Sequence, residues 1–376
     1  MTVGGQLGLY VHIPFCAHKC SYCDFPSRAG QMALRAPYVD ALTVEIAARG
    51  QQLGNPAVDT VYIGGGTPSL LQPEQMARVL EALRAHFRLT ADCEISCEAN
   101  PGMLSPRFLT ALGAGGVNRL SLGAQSADAG LLTLLGRRHD WAQVQRAVAL
   151  ARQHGFDNIN IDLMMGIPGQ TEAIWRDTLE AALALHLEHL SCYGLIVEEG
   201  TPLAERVAVG ELSLPPEEAE RAMYDHTLHR LAQAGYIQYE VSNFALPGRA
   251  CRHNINCWQR VDYAGMGAAA HSLLGGDTRV SNPPDIADYL SGRPPQVQRL
   301  GAEERMFESV MLGLRMTAGV DMAAFERMHG QSFEQAYGSI TASSVEQGLA
   351  EYTPEGFFRL TRRGMDVMNA VLLDFL

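Results

Sequence analysis

At 376 residues the chain is long enough for two domains, or for one large α/β barrel with an appendage, and 47% hydrophobic with 19% charged residues excludes a disordered or fibrous protein. The 29 basic and 41 acidic residues leave a formal net charge of −12, which argues against a nonspecific nucleic-acid binder, and no apolar run reaches the roughly 18 residues a membrane helix needs. Only one basic residue is a lysine, Lys19, and this preference for arginine reads as genomic base composition rather than function.

The opening Met-Thr-Val-Gly-Gly-Gln-Leu has no charged start, apolar stretch or small-residue cleavage site, so a cytoplasmic chain without a secretory signal is expected. From there to about residue 240 short apolar runs alternate with helical patterns. The candidate strands are Gly8–Ile13, Thr60–Ile63, Glu94–Glu98, Arg119–Leu122, Asn158–Leu163 and Leu190–Leu195. Val39, Leu42, Thr43 and Ile46 fall at helical spacing, as do Met76, Val79, Leu80 and Leu83, and then Tyr224, Leu228 and Leu231. This alternation predicts a parallel α/β sheet, and each strand hands over to a polar or glycine-bearing stretch at the end where such folds build sites. Six units are fewer than the eight of a closed barrel, so a partial, open β/α barrel over residues 1–240 is predicted.

Past residue 245 the chain turns to Pro- and Gly-punctuated loop, and residues 241–302 read as a linking region. Helical patterns return from Glu303 and close with a helix from about Met365 to Phe375, predicting a smaller, partly helical, winged-helix-like domain over 303–376. Six basic against eleven acidic residues in that domain favour a packing or partner surface over DNA binding.

Eight cysteines are few for a disulfide scaffold, and three crowd into Cys16-x-x-x-Cys20-x-x-Cys23, directly after the first strand. Three thiolates on one loop can hold three corners of a [4Fe–4S] cube and leave the fourth iron open to another ligand. A zinc site completed by His12 or His18 is the alternative. Gly64-Gly65-Gly66-Thr67-Pro68-Ser69 after the second strand lets backbone approach a ligand closely, with Thr67 offering a hydroxyl. Glu98, in Glu98-Ala99-Asn100-Pro101-Gly102, ends a strand where a carboxylate can meet hydroxyls, and Asp162 interrupts an apolar strand where an unpaired charge is expensive.

The cysteine spacing resembles the signature of the radical S-adenosylmethionine enzymes. Within that superfamily the chain, from Tyr10 onward, resembles the branch containing oxygen-independent coproporphyrinogen III oxidase and the haem chaperone HemW. The resemblance implies a [4Fe–4S] cluster on Cys16, Cys20 and Cys23 whose open iron binds the methionine end of S-adenosylmethionine, the cofactors carrying the chemistry and the protein positioning them. It further implies that Gly65, Gly66 and Thr67 contact the methionine moiety and Glu98 the ribose. Gln125, Arg137 and Asp162 align with further cofactor contacts, and Tyr10 and Tyr22, which flank the cysteines, are candidates to pack on the cofactor, ordinary aromatic packing being the alternative.

Two departures separate the sub-branches. The oxidase carries a longer segment ahead of the cluster and a fourth cysteine two positions beyond the third. Here the motif starts at Cys16 and that position is Phe25, which favours the chaperone. Chaperones of the branch carry His-Asn-x-x-Tyr-Trp in the C-terminal half, implicated in haem binding; this chain has His253-Asn254-Ile255-Asn256-Cys257-Trp258, with cysteine in place of tyrosine. His253 or His271 offers an imidazole to haem iron, Cys251 or Cys257 a thiolate, and Arg249, Arg252 and Arg260 could meet the propionates; a buried structural corner is the alternative for His253. The expected function is haem delivery to a recipient haemoprotein, with an electron donor such as flavodoxin or ferredoxin, no nucleic acid, and at most peripheral membrane contact. Porphyrinogen oxidation is the alternative.

Overall fold

The computed structural model describes residues 7–376; residues 1–6, most of the segment read above for a secretory signal, lie outside the described part. Six parallel strands form its centre: β1 (Gly8–Ile13), β2 (Ala57–Gly65), β3 (Arg88–Ala99), β4 (Arg119–Gln125), β5 (Ile159–Met165) and β6 (His189–Gly194). They lie side by side in chain order, each paired in parallel with the next, as a right-handed series of β/α units requires. This is the six-unit open barrel that the alternating pattern predicts.

The outward side chains of the strands pack under the helices. Helix Arg35–Leu53 contributes Val39, Leu42 and Ile46, and helix Pro73–His86 contributes Met76, Val79, Leu80 and Leu83. The helices start where capping chemistry allows: Asp140 and Thr171 each accept from the backbone three residues on. The inward face is polar. Ser121, Asn160, Asp162, His189 and Ser191 share one hydrogen-bond network inside the barrel, which explains why these strands are not uniformly apolar.

Residues 241–302 differ from the linking region expected. Strand Tyr263–Met266 pairs in parallel with β1, and His271–Leu274, Thr278–Ser281 and Gln296–Arg299 extend that edge with antiparallel pairings. Asn243–Ala245 pairs antiparallel with β6 at the other edge. The glycines that signal loop in the sequence mark close backbone approach instead: a Cβ on Gly265 would stand 2.0 Å from the His271 carbonyl oxygen.

The C-terminal unit runs helix Ala302–Gly313, strand Val320–Asp321, helices Met322–His329 and Phe333–Glu346, then a hairpin of Ala350–Tyr352 and Phe357–Leu360, the order of a winged helix. It has its own core of Val310, Leu314, Phe325, Phe333 and Phe358. The single terminal helix expected from Met365 is broken at Val367, where φ −120° and ψ 25° leave the helical region, so that Val371 and Phe375 can turn into that core. The unit is tied to the sheet by the Arg260–Glu308 ion pair at 3.0 Å, with the Arg260 side chain 1% exposed, and by Arg315, which lies over the Trp258 ring at 4.6 Å. No helix among the described residues is long and apolar enough to cross a membrane.

Candidate functional site

The cysteine loop leaves the C-terminal end of β1 and is closed by Phe15–Cys16 pairing with Arg28–Ala29. It is pinned from the β4 side: Ser21 donates its amide to the Leu135 carbonyl at 3.0 Å and its hydroxyl to the Leu134 carbonyl at 2.9 Å. Lys19 reaches back to the Phe25 carbonyl at 3.2 Å. The three thiols thereby line one cavity at the C-terminal ends of the strands, together with Tyr22, Gly65, Gly66, Thr67, Glu98, Gln125, Arg137 and Asp162. Ten residues singled out from sequence, spread over almost 150 positions, therefore share one wall with Thr67. Burial first, and then the neighbouring thiols, push Cys23 above the usual thiol range, against the opposing pull of the Phe25 backbone and Lys19. The imidazoles that would complete a zinc site are engaged elsewhere: His12 bridges the Tyr10 hydroxyl and the Pro26 carbonyl, each at 3.0 Å, and His18 Nε2 meets the Gly136 carbonyl at 2.6 Å.

The glycine run is required by space. Gly65 has φ +109°, and a Cβ there would stand 2.5 Å from the His12 ring; a Cβ on Gly66 would stand 2.6 Å from the Phe15 carbonyl oxygen. On Gly64 it would press the Glu98 carboxyl at 2.9 Å. The bare backbone leaves room above it and presents the Gly65 amide, which donates to Glu98 Oε2 at 3.2 Å while Tyr62 donates to Oε1 at 2.8 Å. Burial outweighs these donors and, with Asp162 nearby, pushes Glu98 up to about 7.

On β4 a bulge between Gly123 and Gln125 turns Gln125, at φ +66°, into the cavity wall. Gly123 is small because Arg137 passes over it: Nη2 donates to the Gly123 carbonyl at 2.6 Å, and Nη1 to Cys20 Sγ at 3.7 Å. Arg137 Nε is buried without a partner, an unused donor beside the thiols. Asp162 accepts from Asn160 at 2.8 Å and from Ser121 at 3.4 Å, and burial still raises its pKa. Ser121 and Asn100 also line the cavity and were not singled out as site residues. Their signal was present: Ser121 shares the inward period of β4 with Gly123 and Gln125, and Asn100 follows Glu98 at the end of β3.

Tyr10 and His253 are not in that wall. Tyr10 lies a layer below, its hydroxyl on His12 and its ring stacked on Tyr62. His253 sits deeper inside the barrel, 5% exposed, with Nδ1 on the Thr60 hydroxyl at 3.0 Å and its ring stacked on Tyr62. The buried corner, not an open haem ligand, is what this arrangement describes. The thiols fare similarly: Cys251 is fully buried beside Glu94, and burial pushes both Cys251 and Cys257 up to about 12, which keeps them protonated at neutral pH. Arg260 is spent on Glu308, Arg252 pairs with Asp92, and Arg249 faces Asp157. Of the residues considered for haem, His271 alone among the imidazoles is exposed.

The radical SAM superfamily model matches residues 10–182, and the HemN C-terminal domain model matches residues 300–367. The haem chaperone HemW of Bacillus subtilis (strain 168) is 37% identical over 374 residues, covering 98% of both chains. The chain belongs to the HemW family of radical SAM proteins. HemW of Escherichia coli (strain K12) is 34% identical over 380 residues, again covering 98% of both chains. The solved coproporphyrinogen III oxidase HemN of Escherichia coli, described as a radical SAM enzyme, superposes with a TM-score of 0.85 at 26% identity, covering 98% of this chain and 90% of that one. Membership of the radical SAM superfamily implies a [4Fe–4S] cluster and S-adenosylmethionine, and the cavity suits both: three thiols, the Gly65–Gly66 backbone in its wall, and an orphaned arginine donor.

Proposed function

We propose that this HemW-family protein is a cytoplasmic haem carrier that delivers haem to a recipient haemoprotein and takes electrons from a small donor such as a flavodoxin or ferredoxin. The observation that carries the reading is similarity to haem chaperones of 34–37% over whole chains, against 26% to the oxidase. Phe25 agrees with it. The residue stands at the cavity, 63% exposed, at the place of the oxidase's fourth cysteine.

In this reading Cys16, Cys20 and Cys23 would hold a [4Fe–4S] cluster, with S-adenosylmethionine bound beside it. When bound, the two groups supply one-electron chemistry. The chain's own residues hold and shield them. The Gly64–Gly66 backbone faces the methionine end, Arg137 places a cation beside Cys20 and a carboxylate ligand, and Glu98 above its pKa accepts from the ribose hydroxyls. Gln125 and Asp162 complete the wall, and the Ser21 hydrogen bonds hold the cysteine loop against it. A second reading, porphyrinogen oxidation, draws support from the HemN superposition over 98% of the chain.

Haem titration of the anaerobically reconstituted protein tests carriage. A saturating Soret change with a micromolar or tighter constant, about −8 kcal/mol or better, is expected; nonsaturating uptake, as to any apolar surface, would count against it.

A further inference from the structure

The His253 ring and the candidate ribose acceptor are joined by one intervening side chain. Tyr62 on β2 donates to Glu98 Oε1 at 2.8 Å. Its ring lies between two others, His253 at 5.4 Å with planes 28° apart and Tyr10 at 6.4 Å with planes 23° apart. His253 is itself held on three sides: Nδ1 meets Thr60 at 3.0 Å, its amide donates to Glu94 Oε1 at 3.2 Å, and Gly8 passes so closely that a Cβ there would stand 3.3 Å from the imidazole. Burial, then Arg119, pushes the imidazole down to about 4, so the ring is neutral and serves as a flat, fixed support rather than a charge.

We propose that His253 and Tyr62 are positioning residues for S-adenosylmethionine: the imidazole backs the tyrosine ring, and the tyrosine hydroxyl fixes the Glu98 carboxyl in the orientation that accepts ribose hydroxyls. The inference rests on the assignment of Glu98 to the ribose. It gives the Cys251–Trp258 segment a role in the cofactor site that its sequence position, more than 150 residues beyond Glu98, does not reveal. Burial raises the Tyr62 hydroxyl well above the usual range, so it stays protonated and donates across the physiological range. The charged and titratable groups facing Glu98 are Tyr62 from β2, Tyr10 from β1, Arg119 from β4 and Asp162 from β5. Of these Tyr62 alone donates a hydrogen bond to the carboxyl.

The test measures S-adenosylmethionine affinity of the reconstituted holoprotein by calorimetry between about pH 5.5 and 8.5, with iron content as control. An acid whose pKa is raised becomes a carboxylate only above about 7, so wild-type affinity rises through that value. Tyr62→Phe, which removes one oxygen, is expected to weaken binding about tenfold and to move the midpoint upward, because the carboxylate loses its donor. His253→Ala moves both in the same direction at unchanged iron content, and His253→Phe, which restores a ring behind Tyr62, recovers most of the affinity. Wild-type affinity and midpoint in Tyr62→Phe would overturn the proposal, as would a His253→Ala defect with an unmoved midpoint and no recovery in His253→Phe. Glu98→Gln separates the two failures: unchanged affinity there removes the ribose assignment itself, whereas weakened binding in Glu98→Gln beside a normal Tyr62→Phe removes only the positioning role.

Discussion

Replacing any one of Cys16, Cys20 or Cys23 with alanine is expected to lower the iron and sulfide of anaerobically reconstituted protein at least about tenfold, because a cube held at three corners loses a third of its protein ligands with each change. The fold is expected to survive. All three thiols lie in a partly exposed loop outside the hydrophobic core, and the loop is fixed by backbone and Ser21 hydrogen bonds that the substitutions leave intact. Circular dichroism and thermal unfolding check the fold, and colorimetric iron and sulfide check the cluster. Full retention of iron in all three variants would place the cluster elsewhere.

Gly66→Ala is expected to disturb the site through its backbone. Its Cβ would stand 2.6 Å from the Phe15 carbonyl oxygen and 2.9 Å from that of Ile13, and neither is the movable end of a side chain. Relief requires the backbone leading into Cys16 to shift, so the substitution moves a cluster ligand as well as narrowing the cradle. Overpacking of this kind costs about 1–3 kcal/mol, or roughly one to two decades in cofactor affinity. Equilibrium binding of S-adenosylmethionine to Gly66→Ala and to Gly313→Ala, whose Cβ would stand 2.8 Å from the Val320 side chain in the C-terminal unit and outside the cavity wall, separates this local effect from general destabilisation.

What the sequence revealed and what it hid follow from the range of the forces involved. The six central strands and the helices over them were legible because each has a buried apolar face with its own period, a local signal. Of the cavity wall, Gln125 and Arg137 came only with the family resemblance, whereas the glycine run, Glu98 and Asp162 could also be read from their places at or in strands. The edge strands between Tyr263 and Arg299 were hidden, because strands of four residues interrupted by glycine carry no period, and their pairing partner β1 lies some 250 positions away. The choice for His253 between haem ligand and buried corner stayed open for a related reason: Thr60, Tyr62 and Glu94, which bury it, come from strands remote in the chain. The kink at Val367 escaped notice because a continuous helix satisfies the local pattern, and only the core of the C-terminal unit demands the turn.

The haem-carrier reading meets its most direct trial in one anaerobic sample holding the reconstituted cluster, S-adenosylmethionine, a strong reductant and coproporphyrinogen III, with the porphyrin products resolved by chromatography after oxidation. The account predicts unconverted coproporphyrinogen, in protein that binds haem at micromolar concentration or below. Steady formation of decarboxylated, vinyl-bearing product with multiple turnovers per cluster would contradict it and place the chain with the oxidases.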